Sequence, residues 1–407
     1  MTAALRTIIT PTAITRLVLG WGAFIALQFM GSLLAPPVPM TLLVTALVVI
    51  IAVILICAFG VVTEAEHLAN RLGNPYGSLV LTISICLIEV ILIAAVLLGH
   101  GDHATIARDS VMAVSMIILG AVIGLCLLVG GLRHGAMEHN RTGVSNYLVM
   151  IVVFAALAFA VPALIGTPDG AYEIWQEIPI IVITVGAYVF FLYRQMGSQA
   201  REFTEVAPPA DVAAASAGAS STAGTTHPSP AEAADPEPRA QTSESDPQGI
   251  VEILSTHRTE IIARLVLLVA TVLPIVLLSH DMATLLDDGL ARLGAPVALS
   301  GVVIAMIVFL PETLTSLRAA WNGEIQRVSN LCHGAQVSTV GLTIPTVLVI
   351  GMLTDQQIVL AESPINLALL AITLLVSVIG FAGKRVTAVQ GAAHLIIFVV
   401  FGLAIFA

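Results

Sequence analysis

Charge is scarce in this 407-residue sequence: Asp, Glu, Lys and Arg make up 10% of it, against about 25% in soluble domains. That shortage excludes an ordinary soluble protein. Cysteine is scarce too. Cys57, Cys86, Cys126 and Cys332 all lie in apolar runs without CxxC spacing, which argues against disulfides and zinc and leaves them as small hydrophobes. Basic residues number 16 against 26 acids, a net charge of −10 that excludes a nucleic-acid partner. P-loop, G-x-G-x-x-G, nucleophile-elbow and zinc signatures are missing as well. The sequence therefore supports neither an ATP-driven pump nor an enzyme, and it calls for no resident cofactor.

What fills the chain is hydrophobe, at 57%. Charge-free runs of 18 or more residues recur, each long enough for a helix across a hydrocarbon core of about 30 Å. A β-barrel, with segments of about 10 residues of alternating polarity, is excluded. Hydropathy predicts eleven helices, near 14–34, 41–62, 78–98, 110–132, 145–165, 178–195, 260–279, 297–317, 329–351, 365–382 and 386–406. Arg6 and Arg16 precede the first, and no cleavage site is visible around Pro36-Pro37, so it reads as a retained helix. From about Glu205 to Pro247 the chain is mostly Ala, Pro, Ser, Thr and acid, the composition of a disordered linker.

The positive-inside rule tests this count. With the N-terminus inside, fourteen Lys and Arg fall inside and only Arg108 and Arg292 outside. Miscounting one early helix would destroy that asymmetry. The N-terminus and linker are thus expected in the cytoplasm and the C-terminus outside.

The same map isolates two acids. Only Glu89 and Glu312 lie inside expected spans and away from their end residues. A charge at the bilayer centre costs about 2.5–3.5 kcal/mol even on lenient scales, and no basic residue falls in an expected span core to pair with them. A cation or proton site is the functional reading; a permanently protonated Glu serving as hydrogen-bond glue is the bland one. Their surroundings are related. Leu72-Gly73-Asn74-Pro75 precedes the helix of Glu89, and Leu293-Gly294-Ala295-Pro296 precedes that of Glu312, with Pro-to-Glu spacings of 14 and 16. The first of these helices is expected to run outward and the second inward. The expected architecture is all-α and membrane-embedded: an extra N-terminal helix (1–40), a five-helix repeat (41–195), a cytoplasmic linker (196–258) and an inverted five-helix repeat (259–407). Inverted repeats place a site near the midplane.

The neighbours suit a hard cation. Thr82 shares a face with Glu89, Thr315 and Ser316 follow Glu312 by one turn, and Pro311 frees a backbone carbonyl. Calcium takes about 6–8 oxygens, which two glutamates, carbonyls, hydroxyls and water supply. Ser329, His333, Gln336 and Thr343 form a polar stripe on the ninth helix, either lining the path or bonding across helices. Two facing carboxylates make protons and a cation compete for the same oxygens, the minimum for antiport.

These residues resemble a family. Glu66-x-Leu68-Ala69-x-Arg71-Leu72-Gly73-Asn74-Pro75-Tyr76-Gly77 with Ile88-Glu89-Val90 is similar to the first repeat of bacterial calcium/proton antiporters of the cation/calcium exchanger superfamily. Gly130-Gly131-Leu132-Arg133-His134 resembles the end of the following helix. Pro311-Glu312, Gln326-Arg327-x-x-Asn330-x-x-x-Gly334 and Leu342-Thr343-Ile344-Pro345 resemble the second repeat. The resemblance covers about residues 40 to 405. It implies an exchanger in a bacterial inner membrane, with Glu89 and Glu312 binding the exported cation and protons and Asn330 among the accessory polar groups. The chain departs from the superfamily's Gly-Asn-x-x-Glu pattern: Ile85-Cys86 and Val308-Phe309 stand where Gly-Asn is usual.

The reading is a secondary antiporter exporting Ca²⁺ against H⁺ by alternating access, whose partners are inorganic cations, protons and the bilayer. The rivals are a Na⁺ or K⁺/proton antiporter of the same fold and, further off, a cation channel. His134, Glu138 and His139 are expected in a solvated loop, Glu64 and Glu66 as a solvated pair at a helix end with a proton relay as the alternative, and Asp281, Asp287 and Asp288 in an outer acidic loop.

Overall fold

A computed structural model of the chain describes residues 10–31, 33–34, 38–72, 90, 104–204, 258–296 and 298–406. The expected span 78–98 apart from Val90, the linker from 205 to 257, Thr82 and Glu89 lie outside the described residues. Every other expected span coincides with helix: α1 (Pro11–Phe29), α2 (Met40–Leu72), α3 (Ile106–Met116) continued by α4 (Ile123–His134), α5 (Arg141–Ala155) with α6 (Val161–Ile165), and α7 (Ile174–Met196). Then come α8 (Arg258–Arg292), α9 (Ala298–Val308), α10 (Leu310–Asn322), α11 (Ile325–Thr354), α12 (Pro364–Gly380) and α13 (Ala388–Ala404). Among the described residues seven helical stretches are long and apolar enough to cross a membrane, eight if α9 and α10 count as one bent span; α12 and α13 are shorter apolar helices. Their outward faces carry Val, Leu, Ile and Phe in quantity, as lipid contact requires.

The helices pack around two separate cores. The smaller joins α1, α2 and α8 through Ile50, Ile54, Cys57, Val61, Leu268, Val272, Ile275 and Leu278. Its three helices lock by complementary chemistry. Pro274 inside α8 has no N–H, so the carbonyl one turn back, on Ala270, loses its helical partner. The Trp21 indole of α1 donates to that carbonyl at 3.0 Å. Gly20 lets α1 come this close: a Cβ there would lie 3.0 Å from Pro274 Cγ and 3.1 Å from Cys57 Sγ. At the other end of the contact, Arg264 of α8 pairs with Glu64 of α2 at 2.8 Å and with Glu260 at 3.3 Å, all three side chains nearly buried. Glu64 is therefore a clasp between helices and not half of a solvated pair. Polarity near a helix end had pointed to water; both helices run on instead and bury the polar stretch against each other. Asp281, Asp287 and Asp288 likewise fall inside α8 and not in an outer loop, because the helix continues to Arg292.

The larger core takes in the remaining helices, around Met112, Ile117, Leu119, Tyr147, Phe154, Val337 and Ile344. Between α3 and α4 the chain widens into a π-helical stretch, Ile117–Val122, and a second one, Ala156–Ala160, separates α5 from α6. Short tethers sort the loops to two ends. At one end β1 (Met137–Glu138) pairs antiparallel with β2 (Arg385–Val386), the backbone N–H of Asn140 donates to Gln326 Oε1 at 2.8 Å, and Asn330 Nδ2 donates to the Phe203 carbonyl at 2.6 Å. At the other, Val359 bonds Ala104, Leu360 bonds Gly170 and Glu362 bonds Phe159 through their backbones. The first end carries Arg133, Arg141, Arg194, Arg201, Arg327, Lys384 and Arg385, and the second carries Arg108. The alternation of these helices and the sidedness of charge agree with the sequence reading for this part of the chain. His139 departs from it: it is 4% exposed, edge-on to Phe381 with ring centroids 5.2 Å apart.

Candidate ion-binding site

The span expected as one helix over 297–317 is two. α9 ends at Val308, Phe309 interrupts the helix, and α10 restarts at Leu310, the two segments meeting at 54°. Pro311 is the local cause. It has no N–H to continue the ladder from α9, while its fixed φ suits the first turn of a new helix. Glu312 therefore sits in the first turn of a half-helix, where backbone N–H groups and the helix dipole favour negative charge. Its Oε2 is sealed from solvent and has no hydrogen-bond partner among the described residues. Such an atom is expensive to leave unmatched, and a proton or a cation is the natural match.

Around it, hydroxyls and amides separate into committed and open groups. Thr313 and Thr315 donate back to the carbonyls of Phe309 and Pro311, at 2.8 and 2.9 Å. Each hydroxyl oxygen keeps acceptor capacity. Ser316, one turn beyond Glu312 and 1% exposed, accepts from the Cys332 thiol of α11 at 3.5 Å, which fixes α10 against α11. One turn further along α11, Gln336 is also 1% exposed. Its Nε2 donates to Ser115 of α3 at 2.6 Å, Ser115 donates to the Val111 carbonyl at 2.7 Å, and Gln336 Oε1 is left without a partner among the described residues. Ser115 was not singled out from the sequence. A lone serine in an apolar run just before a π-helical stretch marks it, and π-bulges recur at functional sites.

The rest of the polar stripe does other things. Ser329 and His333 bond each other, Oγ to Nδ1 at 2.9 Å, inside an aromatic nest of Tyr147 and Phe381. Asn330 uses its whole amide at the basic end, accepting from Gln326 Nε2 at 3.0 Å and donating to Phe203. Thr343 lies deeper, buried, with its hydroxyl unpartnered among the described residues. The structure thus brings Ser316 and Gln336 to the α10–α11 seam with Glu312, places Thr315 toward α2, and commits Ser329, Asn330 and Nδ1 of His333 to protein neighbours, with His333 Nε2 left unpartnered among the described residues. No cluster of three or more His, Cys, Asp or Glu arranged to hold a metal exists among the described residues.

The chain as a whole has relatives. The chain matches the sodium/calcium exchanger protein family over residues 42–197 and 263–407, both halves flanking the expected linker. It is 28% identical over 386 residues to the sodium-potassium/proton antiporter ChaA of Escherichia coli (strain K12), covering 95% of this chain and 94% of ChaA. It is 32% identical over 350 residues to y4hA of Sinorhizobium fredii (strain NBRC 101917 / NGR234), covering 84% of this chain and 83% of that protein. In fold it is similar to the crystal structure of the H⁺/Ca²⁺ exchanger CAX, with a TM-score of 0.64 at 13% identity over 96% of this chain and 87% of that one.

Proposed function

This chain belongs to the sodium/calcium exchanger protein family, and on that premise we propose that it exports Ca²⁺ in exchange for protons by alternating access. It is a membrane-embedded cation exchanger and not an enzyme. The observation that carries the finer reading is the buried, unpartnered carboxylate oxygen of Glu312 at the break between two half-helices. A carboxylate so placed is stable only when neutralised, by a proton in one half of the cycle and by a cation in the other. Glu89, in the corresponding place of the first repeat, is its partner in this reading. A divalent cation then matches the two negative charges. The Gln336 amide oxygen and the Ser316 hydroxyl supply neutral oxygens of the hard type that calcium prefers.

Each step follows from charge balance. With both glutamates protonated the site is neutral and empty of cation; release of the protons leaves two carboxylates that a calcium ion neutralises in turn. Neither intermediate with bare charge is stable in the apolar interior, so the protein changes its open side only when loaded with one ligand or the other. The 41–195 and 259–407 segments act in this reading as the inverted repeats whose interface holds the site, with the basic end in the cytoplasm. The cargo is the only metal the cycle requires.

A second reading, export of Na⁺ or K⁺ against protons, is favoured by the similarity to ChaA, which is called a sodium-potassium/proton antiporter. The two are separated by proton movement in inside-out vesicles, read with a pH-quenched dye. Calcium alone is expected to relieve the quench, and Glu89→Gln and Glu312→Gln are each expected to abolish the response. A response to sodium or potassium alone would keep the mechanism and replace the cargo. Wild-type exchange in both variants would refute the paired-carboxylate site.

A further inference from the structure

Between α2 and α10, near the basic end, the two cores part and leave a cleft of about 400 Å³. One wall is Phe59, Val62 and Thr63 of α2; the other is Leu314, Leu317, Arg318 and Trp321 of α10, with Thr315. The walls belong to different bodies, since α2 packs into the smaller core and α10 into the larger. From floor to rim their chemistry changes. Phe59 and Leu314 are exposed hydrocarbon. Thr63 and Thr315 donate to the carbonyls of Phe59 and Pro311, at 2.7 and 2.9 Å, so their hydroxyls present no unmet donor to the cleft. At the rim stands Arg318, exposed, one turn before α10 ends at Asn322, and it makes no ion pair among the described residues. Trp321 beside it is 53% exposed, and the Arg133 guanidinium lies over its ring at 4.3 Å. His134 Nε2 donates to the Trp321 carbonyl at 2.8 Å and fixes the end of α10 there.

In a membrane-embedded protein, a partly open apolar slot with an exposed tryptophan and two guanidiniums at its mouth matches one molecule in its surroundings. We propose that the α2–α10 cleft is a binding site for an anionic phospholipid, its acyl chain against Phe59, Val62 and Leu314 and its phosphate headgroup between Arg318 and Arg133. Water is a poor occupant for the floor, because the hydroxyl protons there are already committed and Phe59, Val62 and Leu314 offer it no partner. A zwitterionic lipid matches the walls but not the mouth, where Arg318 and the Arg133 stacked on Trp321 bring two positive charges; basic pockets between helices at a membrane surface select acidic headgroups. The site is independent of the ion cycle and does not rest on the identity of the cargo.

The test uses the full-length protein, stripped of lipid and reconstituted into nanodiscs of phosphatidylcholine alone or with phosphatidylglycerol added. Native mass spectrometry reads the lipid retained, and thermal unfolding reads its affinity. The wild type is expected to retain phosphatidylglycerol in preference to phosphatidylcholine. Arg318→Gln should weaken that preference about fivefold, equivalent to about 1 kcal/mol for one surface charge, while Arg318→Lys keeps it. Val62→Trp, which fills the slot, should lose both lipids. Equal retention of the two lipids by the wild type would overturn the assignment, as would an unaltered preference in Arg318→Gln. Stabilisation by inorganic phosphate equal to that by phosphatidylglycerol would overturn it too, since it would describe an ion site with no lipid tail.

Discussion

The three-helix bundle of α1, α2 and α8 and the larger body handle buried polar groups differently. In the bundle, Glu64 is matched by Arg264, and the carbonyl that Pro274 strands is matched by Trp21. In the larger body Glu312, Gln336 and Thr343 each keep an oxygen without a partner among the described residues, within a few helical turns of one another. Ser279 Oγ and Asp281 Oδ2 are the bundle's exceptions among the described residues. Matched groups hold helices together. Unmatched ones weaken the empty protein and create affinity for whatever arrives to match them. Stability and function are thus divided between neighbouring cores, and each side of the division can be attacked separately.

The largest expected effect is on exchange. Glu312→Gln should abolish proton-coupled cation movement in vesicles while the thermal midpoint of the purified protein holds or rises, since an unmatched carboxylate has gone. A large fall in that midpoint would mean that Glu312 is a structural residue after all. Next comes the clasp. Glu64→Gln leaves the buried Arg264 with less charge to meet it and should cost about 3–5 kcal/mol in denaturant unfolding. The double variant Glu64→Gln/Arg264→Gln should recover part of that loss, and simple additivity would deny that the two charges depend on each other.

Smaller effects sharpen the contrast. Trp21→Phe removes the donor to Ala270 and should cost about 1–3 kcal/mol; in a Pro274→Ala background, where the helix can supply its own N–H, the cost should shrink. Gln336→Leu should weaken cation affinity, followed by calorimetry, more than it lowers stability, because it deletes an oxygen with no partner among the described residues and only one hydrogen bond, to Ser115, worth about 1 kcal/mol. The smallest is a pH effect at His139, outside the spans. Burial disfavours its charged form and lowers its pKa from the ordinary 6.5, with a hydrogen bond to the Phe381 carbonyl opposing in part. The folded protein then binds that proton less tightly than the unfolded chain. The stability involved is complete above about 6.5 and is lost as pH falls through the lower folded value. His139→Phe should flatten that acid limb, seen as a thermal midpoint that changes less between neutral and mildly acidic buffer.

The parts of this architecture that could be read in the sequence were those set by hydrocarbon. Apolar runs located the spans because each must satisfy its own backbone in lipid, and the arginines sorted the loops because sidedness is a property of single residues. What could not be read depended on a second helix. Glu64 looked like a solvated end residue because its partner lies 200 positions away in α8. The break at Phe309 was half visible: Pro311 announced a freed carbonyl, but a bend requires the surrounding helices to hold both halves. Glu312 stood out as an intramembrane acid, whereas Ser115 and the open oxygen of Gln336 acquire meaning only once α3 and α11 touch. Asn330, offered by family resemblance, is occupied with tying the Phe203 turn to α11.

The helices are also of very unequal length. α8 has 35 residues and α2 has 33, while α12 and α13 have 17 each. At 1.5 Å per residue these are about 50 Å on one flank and about 25 Å on the other. A hydrocarbon layer of about 30 Å is met differently on the two flanks. On the bundle side the charged ends of the long pair, Glu64 on α2 and Glu260, Arg264, Asp287, Asp288 and Arg292 on α8, carry the excess past the hydrocarbon, whereas α12 and α13 have no length to spare. Bilayer thickness is therefore felt on one flank of the protein, and its comfort in a given membrane is set there by thickness as well as by chemistry.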